Sequence, residues 1–245
     1  MSEDSAKHTA LVRSWEREQM TLSSLVETEN RLELPVRLVG GADVTFDKDD
    51  QSFAVAALVV CSYPEMKVVH EETMEIRSGL PYVPGFLAFR EAPAVIQLLN
   101  RLEGGPYMPQ LLLLDGNGIL HPRKCGLATH VGVTLNLPTI GCAKKLFRID
   151  GIDENFVRTK LGTQKGRFYI DGESGTRWGA AINAAQGSQR PVYVSIGNRI
   201  SLDTAIQYVS ECSLYRVPEP IRQADLLSRQ WIRNRSREQT QSAAS

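Results

Sequence analysis

The chain has 245 residues, 42% of them hydrophobic and 23% charged, and its 28 Lys+Arg balance its 28 Asp+Glu. This composition excludes disordered and fibrous classes and supplies enough apolar material for one or two domains. Zero net charge does not exclude a nucleic-acid partner, because phosphate binding depends on local clusters of charge rather than on the sum.

In chain order, residues 5–28 place Leu11, Trp15 and Leu25 among charged neighbours in a helical rhythm. An amphipathic N-terminal helix within residues 1–30, packed on a main domain of residues 31–230, is the expectation. Val36–Phe46 is β-branched and ends at Lys48-Asp49-Asp50, Phe53–Tyr63 is continuously apolar, and Met66–Ile76 alternates. These predict three strands joined as an antiparallel meander. Pro81–Gly85 (PYVPG) reads as a rigid loop, since two prolines fix φ and the glycine frees the backbone to approach a ligand. Ala88–Leu102 has helical spacing with a first turn or kink at Pro93, and Gly104-Gly105-Pro106 stops it. Gln110–Leu114 is apolar on both faces, as a central parallel strand is. A helix over 126–136, strands over 138–143, 167–170, 176–182 and 191–197, and a helix over 201–213 complete a mixed α/β chain. Residues 231–245 read as a flexible basic tail.

No uncharged apolar run is long enough for a membrane-spanning helix, and the first thirty residues hold no apolar signal segment. Cys61, Cys125, Cys142 and Cys212 lie far apart without a CxxC pair, which argues against a zinc site or disulfide framework and for a reducing, cytosolic or nuclear environment. Basic residues gather at His121–Lys124, at Lys144, Lys145 and Arg148, and along Arg222, Arg229, Arg233, Arg235 and Arg237. Each set is a solvated face or a nucleic-acid contact.

Two aspartates stand out. Asp43 lies inside an apolar strand, where an ionised carboxylate needs a metal, a cation or several donors. Asp115 ends the central strand, where sites form in open α/β sheets. The alternative for each is a turn or capping aspartate. With Glu91 at the start of the helix after PYVPG, three acids on separate elements suggest Mg²⁺, which prefers carboxylate oxygens.

The strings Gly41–Phe46 (GADVTF), Pro81–Glu91 (PYVPGFLAFRE), Asp115-Gly-Asn-Gly118, His121–Lys124 (HPRK) and Pro138–Lys144 together resemble the endonuclease V family. Arg216–Asp225 resembles its animal branch. The resemblance spans roughly residues 35 to 230 in motif order. It implies a ribonuclease-H-like fold, a mixed sheet flanked by helices. It also implies a Mg²⁺-dependent endonuclease, with Mn²⁺ as substitute and two ions, which cuts at the second phosphodiester 3′ of inosine and leaves 3′-hydroxyl and 5′-phosphate. Animal members are similar to endoribonucleases that prefer inosine in single-stranded RNA; bacterial ones are associated with inosine in DNA. A monomer in cytoplasm and nucleus or nucleolus, acting on RNA and with no membrane partner, is the expectation.

By the same resemblance, Asp43, Glu91 and Asp115 match metal-binding acids, Lys144 matches a lysine beside the scissile phosphate, and His121 matches a histidine that contacts phosphate or bound water. Tyr82 matches a wedge that fills the space left by an extruded base. Pro81, Val83 and Pro84 flank that wedge, and Gly85, Leu87, Gly116, Gly118 and Leu127 match positions lining the hypoxanthine pocket. Arg123 and Lys124 are expected to contact substrate. One departure concerns the residue after Gly197, usually histidine and sometimes acidic in the family and placed near the second metal. Here it is Asn198, a weaker ligand. As a metal-site residue it implies slow cleavage and motivates one rival, an inosine-RNA binding protein with little turnover; independently of Asn198, inosine-directed DNA repair is the rival among enzymes.

Overall fold

The run Leu111–Leu114 is wholly buried, which requires strands on both sides and helices on both faces. The computed structural model describes residues 3–163, 166–183 and 190–243 and provides that cover. Its elements are α1 (Glu3–Ser24), β1 (Leu38–Phe46), β2 (Phe53–Ser62), β3 (Val68–Arg77), α2 (Ala88–Leu102), β4 (Leu111–Leu114), α3 (Leu127–Thr134), β5 (Thr139–Ala143), α4 (Glu154–Thr163), β6 (Arg167–Asp171), β7 (Arg177–Ile182), β8 (Val192–Asn198), α5 (Leu202–Glu211) and α6 (Glu219–Ala243).

The strands form a single sheet in the order β3-β2-β1-β4-β5-β8-β7-β6. β1, β4 and β5 are parallel at its centre, and the expected meander β1-β2-β3 extends one side in antiparallel pairs. Alternation then divides the core. Ala42, Leu112 and Leu114 face Val95, Leu98 and Leu99 of α2 and Val131 of α3. Val39, Leu111 and Leu113 face Ile206 and Val209 of α5 and Ile221 and Ala224 of α6. On α1, Trp15 stacks on Phe89 at 5.0 Å between ring centroids and lies 5.7 Å from Phe86. This fixes the N-terminal helix beside the PYVPG loop.

Two helices lie outside the sequence expectation. α4 begins after Asp153, whose Oδ1 accepts the Phe156 N–H at 2.8 Å as a helix cap does. α6 runs through the stretch expected as a flexible tail: Trp231 packs on Phe53 at 5.9 Å, and the Arg235 guanidinium lies 3.6 Å over the same ring. Its composition is polar on most of its circumference, so its narrow apolar stripe gives a weak signal. Residues 1–2 of the N-terminal expectation and 244–245 of the tail lie outside the described residues. α6 crosses β1 at Gly41, where a Cβ would stand 2.2 Å from the Pro220 carbonyl carbon; only glycine admits that approach.

All four cysteines are unpaired and buried, and no helix among the described residues is long and apolar enough to cross a membrane.

Candidate active site

Register brings the first two acids together. Ala42 pairs with Leu114 across the parallel β1 and β4, so the next residues, Asp43 and Asp115, are cross-strand neighbours, about 5 Å apart along the sheet. Asp43 is buried, and its Oδ2 has the hydroxyls of Thr45 at 3.0 Å and Ser228 at 3.2 Å within bonding reach. Burial, then the charges of Asp115 and Asp225, push its carboxyl up to about 6. Glu91, in the first turn of α2, is buried, and burial followed by Asp43 and Asp115 holds it well above the usual carboxylate range. Lys144, just past β5, is ion-paired to Asp115.

The fourth acid, Asp225, escaped the sequence reading as a site residue. It lies on α6, accepts Arg229 Nε at 2.9 Å, and acts on Asp43 across the α6–β1 contact. A single aspartate on a helix rich in charge carries no mark in the sequence; only the docking of α6 assigns it to the site.

Among the described residues no three His, Cys, Asp or Glu side chains already form a closed metal cage. The donor set nonetheless suits a hard divalent cation: carboxylate oxygens from separate elements, desolvated and mutually repelling, gathered where added positive charge is favourable. Lys144 supplies part of that charge to Asp115.

Next to the acids lies a cavity of about 130 Å³, lined by Tyr82, Pro84, Gly85, Leu87, Gly116 and Leu127, and also by Glu91, Asp115, His121, Gln19, Asn117, Cys125 and Phe147. Tyr82 is 63% exposed at its rim, so it does not plug the core. Gly85 has φ +81°, and its carbonyl accepts from Gln19 Nε2, Arg123 Nη2 and His121 Nε2, each at 3.0 Å. Gln19 also donates to the Cys125 carbonyl at 3.0 Å and accepts from Arg123 Nε. Gln19, buried on α1, thereby ties the loop to the cavity floor; a glutamine on an apparently peripheral helix gave no sequence signal. Asn117 Oδ1 is buried without a hydrogen-bond partner.

Several expected site residues have other duties. His121 Nδ1 accepts the Arg123 N–H at 3.3 Å while Nε2 faces Gly85 O. Burial and then Arg123 push its imidazole down to about 4. It is a neutral brace of the loop as well as a cavity wall. Val83 packs against Trp15, Phe86 and Phe89, and Pro81 is exposed on the loop outside the cavity lining. Gly118 does not line the cavity: its N–H donates to Ser195 Oγ at 2.9 Å, and a Cβ there would meet the Ile196 carbonyl. Arg123 acts through Gly85 and stacks on Phe86 at 4.1 Å, and Lys124 reaches over Trp178 instead.

Asn198 is corrected outright. β8 runs antiparallel to β5, and Asn198 pairs with Thr139 at the start of β5, whereas Asp115 and Lys144 follow the far ends of β4 and β5. Its Oδ1 accepts the Glu27 N–H at 3.0 Å and its Nδ2 donates to Gly132 O at 2.9 Å. It is a buried structural amide, not a metal ligand, and the motive for expecting slow cleavage disappears with it.

A family model described as Endonuclease V matches residues 20–226. Endonuclease V of Homo sapiens is 44% identical over 232 residues, covering 89% of this chain and 82% of that protein. The solved catalytic domain of human Endonuclease V has a TM-score of 0.88 at 42% identity, covering 92% of this chain and 97% of that one. Endonuclease V of Ciona intestinalis, solved with a 24mer DNA containing an inosine followed by a ribo-adenosine, has a TM-score of 0.88 at 36% identity, covering 92% of this chain and 99% of that chain.

Proposed function

We propose, because this chain belongs to the Endonuclease V family and is an endonuclease, that it cuts inosine-containing single-stranded RNA at the second phosphodiester 3′ of the inosine. Water adds to phosphorus, the bond to the 3′-oxygen breaks, and the products carry 3′-hydroxyl and 5′-phosphate. The observation that carries this reading is the juxtaposition of four acids, Asp43, Asp115, Glu91 and Asp225, with a small cavity rimmed by an exposed tyrosine.

The cavity suits a base taken out of its stack, with Tyr82 placed to occupy the gap. Hypoxanthine presents an N1–H donor where adenine has an acceptor, and Asn117 Oδ1 is an acceptor without a protein partner. The acids would hold Mg²⁺ or Mn²⁺, which supplies an activated water and offsets charge on the phosphoryl oxygens. Lys144 adds positive charge at the same place. RNA is favoured because the Ciona relative binds a strand whose sugar immediately 3′ of inosine is a ribose.

The test is cleavage of matched RNA and DNA strands bearing one inosine, with adenosine and guanosine controls, in Mg²⁺, Mn²⁺ and EDTA. Inosine-dependent, EDTA-sensitive cutting, faster on RNA, is expected. Faster cutting of the DNA strand overturns the RNA assignment, and cutting without base preference overturns the base-reading cavity.

A further inference from the structure

The five arginines of the C-terminal stretch read alike in sequence, yet α6 sorts them. Arg222 pairs with Glu219 at 2.6 Å. Arg235 turns onto the sheet, over Phe53 and 3.6 Å from Glu75. Arg229, Arg233 and Arg237 fall four residues apart on one face and line a groove of about 500 Å³ between α6 and the β1–β2 turn, opposite Lys48.

We propose that this groove is a track for the phosphate backbone of the substrate strand, distinct from the base cavity and continuous with the acid cluster. The inference rests on the nuclease reading above and adds where the strand runs beyond the reacting nucleotides. Continuity is set by two residues at the inner end. Thr45 lines the groove and bonds Asp43, and Arg229 lines it and pairs with Asp225. From there Arg233 and Arg237 step outward by about 6 Å each along the helix axis, on the scale of the phosphate repeat in an extended single strand.

Charge and rigidity agree with a polyanion. The groove holds four cationic side chains against Asp47 and Asp49, and Asp47 is engaged by the turn, its Oδ1 accepting the N–H of Asp49 at 2.8 Å and of Asp50 at 3.2 Å. Arg233 and Arg237 are exposed. In a chain of zero net charge, such a row beside a nuclease site is placed to neutralise phosphates by guanidinium pairing. The helix is held from its other side by Trp231 and Arg235 on Phe53, so the row is presented without ordering a mobile segment.

The test compares wild type with Arg233→Ala/Arg237→Ala and Arg233→Lys/Arg237→Lys, measuring kcat and KM in Mg²⁺ on inosine RNAs with long flanks, and on versions shortened on the 5′ or the 3′ side. Arg229 is left intact because it pairs with a site acid. The alanine pair is expected to raise KM about tenfold on the long strand with kcat within about twofold. It should also reduce the slope of log KM against log salt by roughly 1.4, about 0.7 per lost phosphate contact on a single strand. The lysine pair should restore most of both, and shortening one particular flank should make wild type and alanine pair equal. If wild type selects inosine and the alanine pair keeps its KM and salt slope, or loses KM equally on every strand length, the track is wrong while the nuclease reading stands. If wild type shows no inosine preference, the nuclease reading fails first and the track falls with it. Melting temperature checks the fold of each variant; if the alanine pair unfolds, Arg233→Gln/Arg237→Gln takes its place with the same expectations, and an unchanged KM and salt slope in that folded, charge-free pair overturns the track.

Discussion

Asp43 shows what the site asks of one residue. It is buried beside three other carboxylates, its oxygen bonded by two hydroxyls, and its carboxyl is pushed up to about 6. Holding it ionised is worthwhile only if a cation arrives. Asp43→Asn keeps the hydroxyl contacts but removes the charge, and is expected to slow cleavage by roughly a hundredfold or more, read as kcat in Mg²⁺. Asn198→Asp is the informative contrast. An aspartate there could not donate to Gly132 O and would bury a charge, costing about 1 to 3 kcal/mol. The melting temperature should fall while the rate per folded molecule stays unchanged; a faster enzyme would return position 198 to the metal site. Gln19 works at a distance from the chemistry. Gln19→Ala strips one donor each from Gly85 O and Cys125 O, so the ratio of kcat/KM for inosine over adenosine strands is expected to drop about tenfold, a readout that loss of stability alone would not move.

At the scale of elements, the site depends on one helix lying close on one strand. α6 brings Asp225 and Ser228 to Asp43 only because Gly41 has no side chain where Pro220 passes. Gly41→Ala is expected to shift or loosen α6, costing about 1 to 3 kcal/mol as overpacked cores do. Cleavage should fall by more than the lost stability explains, since Asp225 moves with the helix. Equal activity per folded molecule, measured after thermal titration of the folded fraction, would show that α6 need not sit so tightly. The N-terminal helix has the matching role on the other face, where Trp15 and Gln19 hold the loop that carries Tyr82.

For the whole molecule, the acid cluster makes stability depend on pH and is expected to couple it to metal. Asp43 has a folded pKa near 6 against an ordinary 3.8. Its contribution to stability is therefore full below about 4 and is lost as pH rises through 6, a difference of roughly 2 to 3 kcal/mol. His121 and His130, both pushed down to about 4 by burial, act oppositely: their contribution is present above 6.5 and is lost as pH falls through 4. Variants separate the two. In EDTA at pH 7.5, Asp43→Asn is expected to melt about 5 °C above wild type, a gain that vanishes by pH 4. Adding Mg²⁺ or Mn²⁺ at a hundred times its dissociation constant should stabilise wild type by about 2.7 kcal/mol and leave Asp43→Asn nearly unmoved. No metal-induced shift in wild type would count against the acids as its ligands.

Much of this was legible in the chain itself. The meander, the buried central strand and the α2 helix follow from local periodicity, because burial on one face or both writes itself into adjacent residues. Asp43 and Asp115 were marked by charge where apolar residues belong, and Tyr82 by the prolines around it. Asp225 and Gln19 carry no mark, since each is an ordinary polar residue on a polar helix, and the C-terminal arginines are marked only as a basic run, with nothing local to separate Arg229, Arg233 and Arg237 from Arg222 and Arg235. Their roles arise when α6 and α1 dock, which joins residues far apart in sequence. Asn198 departs in the other direction: its place after a glycine in a motif suggests the metal site, but the antiparallel course of β8 carries it to the opposite end of the sheet. The sequence determined which side chains could do the chemistry and the fold class that holds them. Tertiary structure alone decided which of them meet, because strand direction and helix docking set distances that no local pattern encodes.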